Sequence, residues 1–106
     1  MLDEYNTILE TAEAELIDKK SRFIATVRPV KSEDEARSFI AEMRKKYWDA
    51  THNVFAYQIG DRNEIQRSSD DGEPQGTAGK PVLDVLMGDD IKNTAVVVTR
   101  YFGGTL

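Results

Sequence analysis

The sequence predicts an α+β domain, with helices packed on one face of a mainly antiparallel or mixed sheet. Several short segments alternate between apolar and polar residues, which is typical of half-buried strands, and one longer segment has the roughly 3.6-residue period of an amphipathic helix. The segments follow one another in the order ββαββαβ. With 106 residues, 40% of them hydrophobic, the chain can bury the core of one compact domain over residues 1–106.

The first two predicted strands form a hairpin. Residues 11–17 alternate between apolar residues and glutamates, and residues 22–30 place Phe23, Ala25 and Val27 on one face. A short polar turn at residues 18–20 joins the two segments. Two alternating segments joined in this way predict an antiparallel pair.

The clearest helix signal covers residues 32–48. Ser32 followed by Glu35 is the pattern of a capping box, which satisfies backbone N–H groups at the start of a helix. The basic residues at 44–46, Arg44 among them, fit the negative end of the helix dipole. The apolar residues of the segment fall on one helical face. They are Ala36, Phe39, Ile40, Met43 and Tyr47.

The second half of the chain predicts three more strands and a short helix. Strands at residues 53–59 and 64–69 flank a turn at 60–63. A short helix is expected at 81–87, because proline suits the first turn of a helix and glycine the residue just past its end. The last strand, residues 94–102, is apolar on both faces, which predicts a central position in the sheet.

A strand that is apolar on both faces needs cover on both sides, and this one lies close to the end of the sequence. We therefore expect further residues, including a covering helix, to follow Leu106 normally. Without that helix, either Val96 and Val98 or Ala95 and Val97 would be exposed. Exposed apolar strand surface predicts self-association of the chain.

The composition favours a cytoplasmic protein with no membrane partner. There is no cysteine, which excludes disulfides, cysteine zinc sites and a thiol nucleophile and suits a reducing compartment. No apolar run approaches the ~20 residues of a membrane-spanning helix, and residues 1–10 do not have the pattern of a signal peptide. The net charge of −5 argues against a general nucleic-acid coat protein, although it does not exclude a local basic patch on the surface.

The most unusual segment is the acidic–glycine connector, which we define as residues 68–81. It holds the carboxylates of Asp70, Asp71 and Glu73 close together. Clustered carboxylates bind divalent cations, or act as general acid and base when their pKa values differ. A solvated acidic turn is the simpler interpretation of the same residues.

The second part of the connector predicts an anion site. Gly76, Thr77 and Gly79 precede the expected short helix, where backbone N–H groups can hold an anion, and Lys80 would add a cation. The segment is not a Walker A loop, because Pro81 follows the lysine where that motif requires serine or threonine. A plain tight connection is the alternative.

His52 is the only histidine and lies at the start of a predicted strand. It could act as a general base with Asp70, Asp71 or Glu73, with or without a metal ion. One histidine cannot build a histidine-rich metal site, and no cofactor is indicated by the sequence. An ordinary hydrogen-bonding role is the alternative for His52.

The last strand ends in a second unusual motif, at residues 100–104. Arg100 can hold a phosphate or carboxylate, Tyr101 can stack on a base, and Gly103 and Gly104 begin an exit loop. The alternative is an internal salt bridge from Arg100 with the aromatic rings in the core. We expect the connector and this strand end to lie side by side and to form a pocket.

Taken together, these motifs resemble the Impact N-terminal domain family, which includes the bacterial YigZ-like and the eukaryotic Impact proteins. The resemblance implies a fold like domain 2 of ribosomal protein S5, with a C-terminal helix beyond the end of this sequence. The motifs that carry the resemblance are Lys-Ser-Arg-Phe-Ile-Ala at 20–25, Ala-Thr-His-Asn at 50–53, Ser-Asp-Asp-Gly-Glu-Pro at 69–74, Gly-Thr-Ala-Gly at 76–79 and Val-Thr-Arg-Tyr-Phe-Gly-Gly at 98–104.

The resemblance also implies a non-enzymatic binding or regulatory module linked to translation control. Such a module would contact RNA or a protein of the translation machinery, such as a ribosome-associated protein, through a polar cleft. The alternative is a hydrolase that uses His52 with the carboxylate cluster, with or without the assistance of a metal ion. The expected ligand-binding residues are Asp70, Asp71, Glu73, Gly76, Thr77, Gly79, Lys80, Arg100, Tyr101, Gly103 and Gly104.

Overall fold

The computed structural model describes residues 6–7, 11–18, 21–69, 71 and 91–102. Within these residues the chain forms seven strands and one helix. In chain order the elements are β1 (Asn6–Thr7), β2 (Ala12–Asp18), β3 (Ser21–Pro29), α1 (Glu33–Lys46), β4 (His52–Ile59), β5 (Ile65–Ser69), β6 (Ile91–Lys92) and β7 (Thr94–Phe102).

Five of the strands form one sheet in the order β2-β3-β7-β4-β5, and all neighbouring pairs are antiparallel. The central position of β7 confirms the prediction from its two apolar faces. The α+β class is confirmed as well. β1 and β6, which the sequence did not predict, pair with each other in parallel.

The helix begins as its capping residues predict. The Ser32 hydroxyl accepts a hydrogen bond from the Glu35 N–H at 3.2 Å, and the Glu35 carboxylate accepts one from the Lys31 N–H at 2.8 Å. The helix ends at Lys46 rather than at Trp48, because the backbone of Tyr47, with φ −113° and ψ 48°, leaves the helical conformation, although its N–H still donates to the Met43 carbonyl. Trp48 follows in a turn with 80% of its surface exposed.

The main core lies between α1 and the sheet. The buried face of the helix packs on alternate residues of the two central strands, and burial of each such side chain stabilises the fold by about 1.5–3 kcal/mol. The buried residues of this cluster are Val30, Ala36, Phe39, Ile40, Met43, Tyr57, Ile59, Ala95 and Val97.

The opposite face of the sheet carries a smaller cluster. Val96 is buried there against Ala56, with Val27, Ile91 and Val98 packed around them. The expectation that Val96 and Val98, or Ala95 and Val97, would be exposed is therefore wrong for Val96, Ala95 and Val97, while Val98 is half-buried. The helix covers Ala95 and Val97, and Val96 is only 7% exposed. The self-association inferred from such exposure loses this support.

Gly60 makes the predicted turn between β4 and β5. Its φ of 107° is one that residues with a side chain rarely adopt, and a Cβ there would lie 1.9 Å from a carboxylate oxygen of Glu64. The turn closes with a 3.0 Å hydrogen bond from the Asn63 N–H to the Gly60 carbonyl. The short helix predicted at residues 81–87 lies outside the described residues.

No helix in the described part of the chain is both long and apolar enough to cross a bilayer.

Candidate functional site

Four of the predicted site residues lie in the described part of the chain. They are His52 at the start of β4, Asp71 shortly after β5, and Arg100 and Tyr101 near the end of β7. The others lie outside the described residues: Asp70, Glu73, Gly76, Thr77, Gly79, Lys80, Gly103 and Gly104.

Asp71 is fixed against the start of β4. One carboxylate oxygen accepts the backbone N–H of Asn53 at 2.6 Å, and the other lies 3.6 Å from the guanidinium of Arg44. The Asp71 N–H donates to the Ser69 hydroxyl at 3.1 Å. Its φ of 47° lies in the left-handed region, where aspartate is enriched among residues other than glycine. One oxygen of this carboxylate thus has a hydrogen bond within the domain, and the other faces the Arg44 guanidinium at a longer distance.

The backbone of Asp71 also orients His52. Its Nδ1 lies 2.7 Å from the carbonyl oxygen of Asp71. Because a carbonyl can only accept, Nδ1 must carry the proton in this arrangement, which leaves Nε2 as the acceptor of the neutral ring. In a serine–histidine–aspartate triad a carboxylate performs this orienting role, so the geometry differs from that of a triad.

A buried polar network that the sequence analysis missed lies beside these residues. The Thr99 hydroxyl donates to the Asn53 side-chain oxygen at 2.7 Å, and the Asn53 amide donates to the Tyr47 carbonyl at 3.2 Å. The network ties β4, β7 and the end of α1 together. Asn53 belongs to the Ala-Thr-His-Asn motif at residues 50–53, but nothing in that motif indicated that its side chain would be buried and bonded to β7.

Arg100 and Tyr101 project from opposite faces of β7, as successive strand residues do. The Arg100 guanidinium lies on the face away from α1, 5.2 Å from the ring centre of Phe23. The Tyr101 hydroxyl donates to Asp49 at 2.9 Å, and the Arg22 guanidinium lies 5.6 Å from its ring centre. Burial, followed by the hydrogen bond to Asp49, raises the pKa of Tyr101. A ligand touching both Arg100 and Tyr101 would have to reach around the end of the strand.

Asp71 is held against the start of β4, the strand that pairs with the end of β7. His52 and Asn53, which hold Asp71, pair directly with Arg100 and Thr99 of β7. We expected the acidic–glycine connector to lie close to the end of β7. Asp71, the one connector residue past β5 that the structure describes, does so.

A groove that the sequence analysis did not predict runs between α1 and the strands β4 and β5. We call it the arginine groove. Its volume is about 390 Å³, and its lining residues are Arg37, Ile40, Ala41, Arg44, Phe55, Tyr57 and Ser69. The sequence analysis explained Arg44 by the helix dipole alone. The overlooked signal was the spacing of Arg37 and Arg44, because residues seven positions apart lie on one side of a helix.

Tyr57 closes the floor of the arginine groove. Its hydroxyl donates to the Glu33 carboxylate at 2.6 Å. Burial, followed by this hydrogen bond, raises the pKa of Tyr57, and the same bond lowers the pKa of Glu33. The pair joins the first turn of α1 to β4.

A second groove, of about 380 Å³, flanks the other side of α1. We call it the acidic groove, because its charged lining residues are Arg28, Asp34, Glu35 and Glu42. The Arg28 guanidinium binds both carboxylate oxygens of Glu42, at 2.7 and 2.9 Å. Three carboxylates and one guanidinium make this groove anionic.

Among the described residues, no group of three or more histidine, aspartate or glutamate side chains is placed to hold a metal ion. Asp70 and Glu73 are not part of that set, because they lie outside the described residues.

Comparison with known proteins shows the family. The model of the Impact N-terminal domain matches residues 19–106. The IMPACT family member YvyE of Bacillus subtilis is 51% identical over 104 residues, which cover 98% of this chain and 48% of that protein. YigZ of Escherichia coli is 42% identical over 90 residues, covering 83% of this chain and 44% of YigZ. Protein IMPACT of Rattus norvegicus is 37% identical over 98 residues, covering 88% of this chain and 30% of that protein.

Solved structures agree with the fold. One, described as a hypothetical protein, has a TM-score of 0.85 at 38% identity and covers 92% of this chain and 48% of its own. The two-domain translational regulator Yih1 has a TM-score of 0.68 at 27% identity, covering 92% of this chain and 39% of Yih1. The α+β fold like domain 2 of ribosomal protein S5 is thereby confirmed. The chain spans about half the length, or less, of the relatives it matches, and it belongs to the Impact N-terminal domain family.

Proposed function

We propose that this chain is a non-enzymatic binding module of translational control that contacts RNA or a protein of the translation machinery. Its similarity to Yih1, which is described as a translational regulator, supports this role. The chain spans 39% of Yih1, so the activity of the longer protein is itself part of the proposal. A role in translation would place the protein in the cytoplasm, in agreement with the absence of cysteine from its sequence.

The junction between Asp71 and β4 is the observation that favours binding over chemistry. One carboxylate oxygen of Asp71 holds the Asn53 N–H, and the residue orients His52 through its backbone carbonyl. In a serine–histidine–aspartate triad the carboxylate itself orients the histidine, so this arrangement departs from that of a catalytic triad. The arrangement suits a residue that shapes one end of a binding cleft.

The proposed cleft lies at the start of β4 and the end of β7, where Asp71 is held against β4 and Arg100 and Tyr101 lie on the two faces of the paired strand. Arg100 would bind a phosphate or carboxylate, and Tyr101 would contribute an aromatic edge. The rest of the acidic–glycine connector and the glycines after Phe102 complete the proposed ligand set. They are Asp70, Glu73, Gly76, Thr77, Gly79, Lys80, Gly103 and Gly104.

Two binding assays test this role. In the first, the chain is titrated with a structured RNA hairpin at low and at high salt in a filter-binding assay. In the second, it is sedimented with purified ribosomes. We expect saturable binding in at least one assay, and a steep fall with salt if RNA is the partner. Absence of saturable binding in both would rule the proposal out.

The variant Arg100→Gln locates the contact. It should weaken binding about tenfold, since a hydrogen bond to a charged group contributes about 1.5–3 kcal/mol. Lys45→Gln removes the same charge from an exposed position of α1 and is the matched control. Equal losses in both variants would indicate a non-specific charge effect and not a contact at the proposed cleft.

The hydrolase alternative is tested separately. A screen with generic phosphatase and esterase substrates, with and without Mg²⁺, compares the chain with its His52→Ala variant. Turnover that disappears in the variant would favour catalysis by His52. Turnover that persists unchanged would reject His52 as the catalyst.

A further inference from the structure

We propose that the arginine groove binds an acidic peptide segment of a partner protein, with two carboxylates at its ends and an apolar side chain between them. This site lies on the helix side of the sheet, between α1 and the edge strand β5. It borders the proposed cleft at Asp71, whose carboxylate lies 3.6 Å from Arg44, and it does not depend on a role in translation.

Two arginines supply all the charge of the described groove lining. Arg37 and Arg44 are seven positions apart on α1, which separates them by about 10 Å along the helix axis and keeps them on one side. Their side chains are 66% and 50% exposed. The groove is therefore cationic, although the whole chain carries a net charge of −5.

The acidic neighbours of these arginines lie beyond normal hydrogen-bond distance. Arg37 is 3.6 Å from Glu33 and 3.9 Å from Asp34, and Arg44 is 3.6 Å from Asp71. Hydrogen bonds between N–H donors and oxygen are typically 2.7–3.2 Å long. Each guanidinium has five N–H donors in a planar fork that suits a carboxylate, so both arginines can bind an additional anion.

The groove floor between the arginines is apolar. Phe55 is half-buried, and its ring lies nearly parallel to that of Tyr57, with centres 6.2 Å apart and an angle of 12°. Ile40 and Ala41 of the helix form the facing wall. An apolar side chain seated there would exclude water from the flanking carboxylate–arginine pairs, which strengthens them.

The surroundings favour a peptide over a nucleic acid. Glu33, Asp34 and Asp71 lie beside the arginines and would repel a continuous row of phosphates. Tyr57 is 4% exposed and the Arg44 guanidinium lies 5.8 Å from the ring centre of Phe55, so neither ring offers a wide open face on which a base could stack. The half-buried Phe55 and the exposed Ala41 leave room for a smaller aliphatic side chain. A peptide with only two carboxylates, each opposite an arginine, also meets less of this repulsion than a chain with a phosphate on every nucleotide.

The spacing of the arginines suggests the probe. In an extended polyproline-type peptide, residues three apart lie on one side and about 9 Å from each other, close to the arginine spacing. The probe is a fluorescently labelled peptide with two glutamates three residues apart and leucine and proline between them. The control peptide has glutamine in place of both glutamates.

Fluorescence anisotropy with the 106-residue chain measures binding. We expect saturable binding of the glutamate peptide and at least about tenfold weaker binding of the glutamine peptide. The double variant Arg37→Gln/Arg44→Gln should lose at least about tenfold in affinity for the glutamate peptide, and Lys45→Gln should retain it. Binding that the double variant or the glutamine peptide leaves unchanged would overturn the proposal.

Two further measurements decide the case if the double variant does not fold. Amide chemical shifts of the unsubstituted chain, recorded during titration with the glutamate peptide, should move first at Ile40, Ala41, Phe55 and Ser69. Shifts confined to other parts of the chain would refute the assignment. An RNA hairpin that perturbs the same amides while the glutamate peptide does not would identify a nucleic-acid site and overturn the peptide proposal.

Discussion

The two grooves beside α1 use arginine in opposite ways. In the acidic groove, Arg28 binds both oxygens of Glu42, donates to the Thr11 hydroxyl at 3.1 Å, and lies 4.6 Å from the ring centre of Phe39. In the arginine groove, the nearest carboxylates are 3.6–3.9 Å from Arg37 and Arg44. An arginine thus stabilises the fold where a carboxylate accepts two hydrogen bonds from its guanidinium, as in the acidic groove. It stays able to bind a partner where the nearest carboxylates are farther away, as in the arginine groove.

The number of arginines therefore does not identify a binding surface beside this helix. The geometry of each guanidinium and the charge of the residues around it decide whether a partner can bind. We expect substitutions in the acidic groove to change mainly the free energy of unfolding. Substitutions of the groove arginines on the other side should change mainly binding.

The largest effect should come from Phe39, which is buried under Arg28. Phe39→Ala removes a ring that is 1% exposed and should lower the free energy of unfolding by about 3–5 kcal/mol. Urea denaturation followed by circular dichroism gives this value. Ser38→Ala, an exposed neighbour in the same groove, is the control and should change it by less than about 0.5 kcal/mol. A loss below about 1 kcal/mol in Phe39→Ala would contradict its place in the core.

Asp71 tests the border of the arginine groove. Asp71→Ala leaves the Asn53 N–H without its acceptor and should lower the free energy of unfolding by about 1–3 kcal/mol. Asp71→Asn keeps an oxygen for that N–H but removes the charge beside Arg44, so its loss should be smaller. Equal losses in the two variants would mean that the charge, and not the short hydrogen bond, gives Asp71 its role.

Arg28→Gln should have an intermediate effect. It removes the two-point contact with Glu42 and the packing over Phe39, and should lower the free energy of unfolding by about 1 kcal/mol, since the Glu42 side chain is 53% exposed and solvent screens the pair. A double-mutant cycle with Glu42→Gln isolates the coupling. A coupling energy of zero would mean that Arg28→Gln lowers the free energy of unfolding only through the lost packing against Phe39.

The same pair predicts a pH dependence. The hydrogen bond from Arg28 is the main cause that lowers the pKa of Glu42 in the folded chain from its ordinary 4.5. A carboxylate with a lowered folded-state pKa stabilises the fold above its unfolded-state pKa and loses that contribution as the pH falls through the folded value. The free energies of unfolding of the chain and of Glu42→Gln should therefore differ above pH 4.5 and converge as the pH falls through the lowered folded-state pKa of Glu42. A difference that persists in strong acid would be inconsistent with this pair.

The smallest effect on stability should come from the groove arginines. Arg37→Gln and Arg44→Gln should each change the free energy of unfolding by less than about 0.5 kcal/mol, because exposed ion pairs at such distances contribute little. Thermal denaturation of each variant provides the measurement. A loss of free energy of unfolding near that of Arg28→Gln would show that the arginines of both grooves stabilise the fold. It would contradict the proposed difference between the two grooves.

Local signals explain why so much of the fold was predictable. The cap at Ser32 depends on residues three positions apart, and the central place of β7 depends on consecutive apolar residues within one strand. The face of β3 was harder to read. Phe23, Ala25 and Val27 alternate as predicted, but the deeply buried residue is Ile24, because the helix packs on the other face. Alternation defines two faces without saying which one a helix will cover.

The site was less predictable because its contacts join distant parts of the chain. The bond from the Asn53 N–H to Asp71 spans 18 positions, and the bond from Thr99 to Asn53 spans 46. Arg44 had a sufficient local explanation in the helix dipole, so nothing in the sequence pointed to its approach to Asp71. The opposite orientations of Arg100 and Tyr101 did follow from strand alternation, and that consequence was overlooked.

The exposed indole that follows α1 gives the chain an intrinsic optical probe. Trp48 is the only tryptophan, and 80% of its surface already faces water in the folded state. Denaturation would change the surroundings of that ring little, so its emission would follow unfolding poorly. A partner that covers the turn after α1 would move the ring into a drier environment and shift the emission to shorter wavelengths.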